Sequence, residues 1–473
     1  MKLIKLAAAA LNQTPFDWDN NLRNIRNAIE AAKRERVDVL CLPELALSGY
    51  SCEDAFFSPG IIGTAWELLL DLVEYSKGIA VSVGVPVLHN KALFNCAAFL
   101  VDGELLGVVA KKHLCGEGVY YEPRWFKPWP DDVVQSIECN GVTYPLGDIF
   151  FDLSGIRLGF EICEDAWVAN RPGAQLAMQG ADIILNPSAS HFAFGKHAVR
   201  RRFILDGSRA FNVAYVYSNL VGCEAGRLIF DGGCHIAAGG NLYAAASRFS
   251  FRDMHLTSAT VDLDQLRMKQ ARVTSFEPEL ESSSQCISSS SSAVFYPHDS
   301  PSKPLVEQDQ WEESKQLKCE EFARAVSLGL CDYMRKSHSK GCVVSLSGGA
   351  DSGTVACLVR IMVELGATEL GVDTLAGRLG LAIKAPSVSK LMAGILTCVY
   401  QRTKNSSETT ETAACELATA LNATYYRFDV DTLVDDYVQL VTGATPHQLN
   451  WESSDLALQN VQAVSYTHLR AHE

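Results

Sequence analysis

The sequence predicts an α/β protein built from two layered domains, and three features point there. Short apolar runs alternate with helical patterns through residues 1–275, the rhythm of sheets covered by helices. Composition then breaks at 277–304, EPELESSSQCISSSSSAVFYPHDSPSKP, a Ser/Pro-rich stretch with little to bury. Beyond it a strand, a glycine loop and a helix open a second βαβ series, the mark of a doubly wound parallel sheet. The length of 473 residues suits two or three domains of ~100–200 residues each. Hydrophobic residues make up 48%, which excludes disorder of the whole chain.

The elements follow in order. MKLIKLAAAAL imitates a secretory leader, but its apolar run Leu6–Leu11 is only six residues and Asn12-Gln13-Thr14 follows, so a buried first strand is expected. Leu22, Ile25, Ile29 and Ala32 have helical spacing across 20–33. VDVLCLPE (37–44) and IAVSVGVPV (79–87) read as buried strands, and residues 93–114 as a hairpin turning at Asp102-Gly103. IRLGFEIC (156–163), ADIILN (181–186) and VAYVYSNLVG (213–222) are further short strands. The Ser/Pro stretch reads as a linker over 276–310, with helix from Trp311 to Arg335. CVVSL (342–346), GILTCVY (394–400) and TYYRFDV (424–430) then alternate with helices at 351–365, 408–421 and 431–441. The last residues, VSYTHLRAHE, show no apolar period and no cap. The expectation is a domain cut short near residue 463 with an aberrant tail at 464–473.

Several function classes are disfavoured by composition. Lys plus Arg is 41 against 55 Asp plus Glu, a net charge of −14, which argues against a dedicated nucleic-acid binder. No apolar run approaches the ~18–20 residues of a membrane span. The fifteen cysteines are scattered, no pair closer than eleven apart and none as CxxC, so zinc knuckles and thioredoxin-like pairs are not expected. They read as reduced core thiols of a cytoplasmic enzyme.

SLSGGADSG (345–353) lies between a strand and a helix. Its glycines let backbone approach a phosphate, and successive N–H groups with the helix N-terminus face the anion. Ser347 and Ser352 can donate to phosphate oxygens, and the acidic Asp351 suggests an intervening Mg²⁺. The Lys-Ser/Thr ending of a Walker loop is missing. A simpler reading is a Ser/Gly turn capping the helix. The SGGxDS pattern resembles the pyrophosphate loop of the ATP pyrophosphatase superfamily, enzymes of Rossmann-like fold that cleave ATP between the α- and β-phosphates. That resemblance implies β- and γ-phosphate contacts at Ser347, Gly348, Gly349, Asp351 and Ser352, with Mg²⁺ at Asp351. TKNSSETT (403–410) either shapes the nucleotide pocket or caps a helix through Ser407 or Thr409.

Three segments of the first half end strands: CLPELALSGY (41–50), AKKHLCGEGVYYEPRWF (110–126) and GFEICEDAW (159–167). Singly they are ordinary, since a lone Cys is usually core. Together they resemble the nitrilase, or carbon–nitrogen hydrolase, superfamily, an α-β-β-α sandwich whose Glu-Lys-Cys triad occurs in this chain order. The resemblance covers residues 1 to about 270, including AAALNQTPFDWDNN and NPSAS (186–190). Thiolate attack on an amide, then thioester hydrolysis, needs these residue types. Glu44 would move the proton, Lys111 would hold the oxyanion and lower the thiol pKa, and Cys163 would attack. Lys111 is chosen over its neighbour Lys112 because it fits K-x-x-L-x-x-x-G of the glutaminase branch.

A nitrilase-type half joined to SGGxDS resembles the glutamine-dependent NAD⁺ synthetase family. The family implies a glutamine pocket with Tyr120, Glu164, Ser190 and Lys196. It also implies ATP and deamido-NAD⁺ as substrates, internal transfer of ammonia, and a homo-oligomer. LALQNVQA (456–463) resembles a helix that continues in that family with arginine where Val464 stands here. Residues beyond the present end complete the family's synthetase domain, so little or no synthesis is an open outcome. Two rivals are a stand-alone amidase carrying a synthetase remnant, and a non-catalytic binding protein.

Overall fold

Leu3–Leu11 is a strand, and Leu6 to Leu11 are all buried, because it runs through the middle of a sandwich. The computed structural model describes residues 1–224, 226–280, 285–289, 295–305, 309–404, 406–444, 454–458 and 460. The proposed tail at 464–473, Val464 included, lies outside them. The chain divides into two units, Met1–Glu321 and Phe322–Glu473.

The first unit holds two facing sheets. One runs in the order Met254–Asp262, Leu3–Leu11, Val39–Cys41, Ala80–His89, Ala92–Val101, Glu104–Ala110, Val142–Gly147, Val134–Cys139. The other runs Asn241–Ala245, His235–Ala238, Ala214–Asn219, Ile183–Ser188, Ile156–Phe160, Phe150–Leu153, Cys286–Ser289. Parallel pairs sit centrally in both and antiparallel pairs flank them, with one further parallel pair towards an edge of each, Glu104–Ala110 with Val142–Gly147 and Phe150–Leu153 with Cys286–Ser289. Ser218 Oγ donates to Ala9 O at 2.8 Å across the gap, and Phe99 packs 4.7 Å from Phe151. Trp18–Arg34 covers one outer face with Leu22, Ile25, Ala28, Ile29 and Ala32, its start capped by Asp17 accepting from Asn20 N. Lys196–Ala210 covers the other, setting Ile204 and Phe203 against Tyr215 and Tyr217. These layers make the α-β-β-α sandwich.

The hairpin turns where expected, with Asp102 and Gly103 both at positive φ, as a tight two-residue turn requires. The segment read as a linker is more structured than its composition suggests. Cys286–Ser289 pairs parallel to Phe150–Leu153, because Cys286 finds an apolar seat beside Phe150, Leu176 and Ala181. Further on, Tyr296 N and His298 Nε2 both bond the buried Asp38 at 2.8 Å. The expected helix at Trp311 is instead a short 3₁₀ turn, Gln310–Glu313, and the helix proper is Leu317–Lys336.

The second unit carries three parallel strands in chain order, Cys342–Ser345, Leu396–Arg402 and Thr424–Asp429. The helices Ala350–Leu370, Val388–Ile395 and Glu408–Ala420 connect them. It is an α/β unit with a parallel sheet. Among the described residues no helix is long and apolar enough to cross a membrane.

Candidate active site

Glu44 follows the strand Val39–Cys41 of the first sheet, and its carboxylate reaches across the sandwich. Oε1 accepts from Lys111 Nζ at 2.6 Å and from Asn95 Nδ2 at 2.7 Å, while Oε2 accepts from Ala189 N, beyond a strand of the second sheet, at 2.9 Å. Gly84 allows this approach. A Cβ there would stand 2.6 Å from Pro43 O and closer still to Leu45 N, so any side chain would push the Glu44 loop away.

Lys111 leaves the end of Glu104–Ala110 and is fully buried. Its ammonium lies between two carboxylates, Glu44 and Glu122, the latter at 2.9 and 2.8 Å. Burial opposes its charge, but Glu122 and Glu44 outweigh that and hold the ammonium protonated. Lys112 faces elsewhere and pairs with Asp131 at 2.9 Å and Asp148 at 2.7 Å. Glu122 also accepts from Tyr50 OH at 2.6 Å and Cys115 N at 3.2 Å.

Cys163 heads a 3₁₀ turn, Cys163–Ala166, just past Ile156–Phe160. Its φ is +48°, rare for a residue with a Cβ and of order 1–3 kcal/mol in cost. The thiol lies in the field of Glu44, Lys111 and Glu122. Burial first, then Glu44, raises its pKa, and the opposing pull of Lys111 does not reverse this. Lys111 does pull the thiol pKa down as expected, but burial and Glu44 outweigh that pull. Burial also lifts the Glu44 carboxyl to about 7, against the pull of Lys111. A neutral thiol thus shares this field with a carboxylate made more basic than usual, an arrangement for proton transfer during attack rather than for a resting thiolate.

The expected amide-pocket residues gather beside this centre. Tyr120 OH donates to Ala189 O at 2.9 Å and accepts from His191 N at 2.7 Å. Lys196 Nζ stands 5.3 Å from the Tyr120 ring centre, 5.5 Å from that of Trp167, and 3.1 Å from His191 Nδ1. Desolvation lowers its pKa. Ser190 is held by backbone bonds to Asn219 and Arg200, and its buried Oγ has no partner among the described residues. Glu164 follows Cys163 in the same turn and is half-buried.

In the second unit the loop 346–349 joins Cys342–Ser345 to Ala350–Leu370. Ser347 Oγ lies 3.1 Å from Ser352 Oγ and accepts from Gly349 N at 3.2 Å. Gly348 has φ +77°, and a Cβ there would meet Thr410 Cα at 2.8 Å. Asp351 is exposed in the first helical turn. Ser407 caps Glu408–Ala420, accepting from Thr410 N, so the capping reading of TKNSSETT describes that segment. No group of three or more His, Cys, Asp or Glu among the described residues is arranged to hold a metal.

Comparison with known proteins agrees with both halves. Residues 5–270 match the carbon-nitrogen hydrolase family and 322–469 the NAD synthase family. A solved glutamine-dependent NAD(+) synthetase from Cytophaga hutchinsonii is 36% identical, with a TM-score of 0.82 over 98% of this chain and 71% of its own. The chain belongs to the glutamine-dependent NAD(+) synthetase family. The human synthetase is 30% identical over 97% of this chain and 68% of its own length. For the synthetase of Oryza sativa the figures are 33%, 98% and 66%. The chain thus spans about two thirds of the length of these curated relatives. A synthetase from Acinetobacter baumannii, solved with adenosine diphosphate, is 20% identical and shares the fold at a TM-score of 0.72.

Within this synthetase site, Glu122, Tyr50, Asn95 and Asp165 escaped the sequence reading. Glu122 opens the short helix Glu122–Trp125 before a proline, so it reads as an ordinary first-turn acid. Only its near-zero exposure gives it away, and sequence does not show that.

Proposed function

We propose that the chain hydrolyses glutamine to glutamate and ammonia at Cys163, and that its second unit uses ATP and the ammonia to convert deamido-NAD⁺ to NAD⁺, releasing AMP and pyrophosphate. One observation carries the first half: the buried Lys111 ammonium between Glu44 and Glu122, beside the strained Cys163 turn. Glu44 takes the thiol proton as sulfur attacks the amide carbon. The oxyanion forms in the field of Lys111. Collapse breaks the C–N bond, and the nitrogen leaves as ammonia with the proton from Glu44. Glu44 then deprotonates water, which attacks the thioester and frees glutamate, and the proton returns to sulfur. Tyr120, Glu164, Ser190 and Lys196 hold the substrate, with Lys196 facing its carboxylate.

For the second half, Ser347, Gly348, Gly349 and Ser352 cradle ATP phosphates. Mg²⁺ carried by those phosphates asks the protein for only one or two carboxylates, and the exposed Asp351 beside two hydroxyls fits that demand. Bound there, the ion would offset phosphate charge as pyrophosphate leaves. The same reading makes the protein cytoplasmic and homo-oligomeric, with small-molecule substrates and no nucleic-acid or membrane partner.

The test is glutamate release from glutamine, with and without ATP and deamido-NAD⁺, against Cys163→Ala. Release that vanishes in the variant is expected. Undiminished release in Cys163→Ala, or turnover of simple amides in preference to glutamine, would overturn the reading.

A further inference from the structure

Lys111 belongs to the first sheet and Cys163 to the second, so the triad works only if the two sheets stay in register at this point. One buried side chain ties them together there. Asp165 Oδ2 accepts from Ile162 N at 2.9 Å, and Oδ1 accepts from His113 N at 2.8 Å. Ile162 directly precedes the strained Cys163, and His113 lies two residues beyond Lys111. We propose that Asp165 is a positioning residue for the glutaminase step, clamping the Cys163 turn to the backbone that carries Lys111. The proposal rests on the glutaminase reading and deepens it.

The geometry leaves the carboxylate little freedom. Asp165 is 3% exposed, and the cavity behind it, lined by Lys112, Asp148, Gln175 and Gln179 among others, measures about 20 Å³, room for about one water. A residue at φ +48° persists only when its surroundings over-determine it. Here the bonds to Ile162 N and His113 N supply that constraint. Burial pushes the Asp165 carboxyl up to about 7, against the nearby Lys111 and both N–H donors and with Glu161 adding to the rise. The two bonds of this costly group both end on backbone flanking the triad.

Asp165→Asn keeps the shape but turns a donor toward one of the two N–H groups. In the full chain the test measures alkylation of Cys163 by iodoacetamide, read on its peptide by mass spectrometry, and steady-state glutamate release. Misplacing sulfur predicts a ten- to hundredfold fall, roughly, in both the alkylation rate and kcat. KM for glutamine is expected to change less than about threefold, because Tyr120, Ser190 and Lys196 keep their places. A folded variant with wild-type alkylation and kcat overturns the proposal, since a residue that only adds stability leaves folded molecules reactive. If the variant does not fold, hydrogen exchange of the wild-type chain decides. The His113 and Ile162 amides are expected to be protected, and free exchange at either overturns the clamp. Alkylation needs no glutamine, so a wild-type chain that releases no glutamate counts against the function and leaves the clamp to be judged on alkylation.

Discussion

Replacing Lys111 by methionine isolates the central charge of the site. Nζ lies 2.6 Å from Glu44 and 2.8 Å from Glu122, with all three side chains essentially unexposed. At an effective dielectric constant of about 20, each contact has a gross attraction of roughly 6 kcal/mol. Desolvation of the three groups cancels most of it, so the pairs add little net stability. Removing only the cation keeps the carboxylates' desolvation and adds their repulsion, and the expected loss is about 3–5 kcal/mol. Glu44 can escape by binding a proton, because its carboxyl already sits at about 7. The loss should therefore be larger near pH 8 than near pH 6. Adding Glu122→Gln removes the repulsion and should restore about half of the stability but none of the activity. Urea unfolding followed by tryptophan fluorescence reads this well, since six of the seven tryptophans lie within residues 1–321. Lys112→Met is the control: of its partners Asp131 is 63% exposed and Asp148 15%, so solvent reaches both and the loss should be clearly smaller, about 1–2 kcal/mol. A Lys111→Met chain within about 1 kcal/mol of wild type would refute the argument.

Three further outcomes are expected. Glutamate release should rise with pH through about 7, because Glu44 must be ionised to accept the thiol proton; a flat profile from about pH 5 to 8 would remove it as the base. Burial alone would raise the Asp231 carboxyl, but Arg200 and Arg248 hold it well below its usual 3.8. Its contribution is therefore present above that value and lost as pH falls through the folded pKa, so acid unfolding should be steeper in wild type than in Asp231→Asn. Gly348→Ala forces a Cβ against Thr410 at positive φ, and calorimetry should show ATP binding weakened about tenfold or more, with glutamate release without ATP unchanged.

The fold was legible wherever chemistry was local. Asp102-Gly103 announced a turn, SGGADSG announced a strand–loop–helix, and Glu44, Lys111 and Cys163 stood out by their order along the chain. What escaped depends on partners far away. Glu122 matters through Tyr50, 72 residues distant, and Asp165 through His113, 52 distant. The hairpin Val134–Cys139 with Val142–Gly147 forms a sheet edge with many exposed positions, so its apolar alternation is faint. Cys286–Ser289 hid inside a serine tract, because its strand state is set by a neighbouring edge and an apolar seat.

That small strand has a consequence for anyone who dissects the protein. Phe150–Leu153 would otherwise present a row of unpaired backbone groups, a template on which another molecule could polymerise. A fragment ending at residue 275 strips away this cover and also the Tyr296 and His298 fastening at Asp38. Such a fragment should be sticky even with its catalytic groups intact. Trimming nearer residue 321, where the first unit ends, keeps the seam closed.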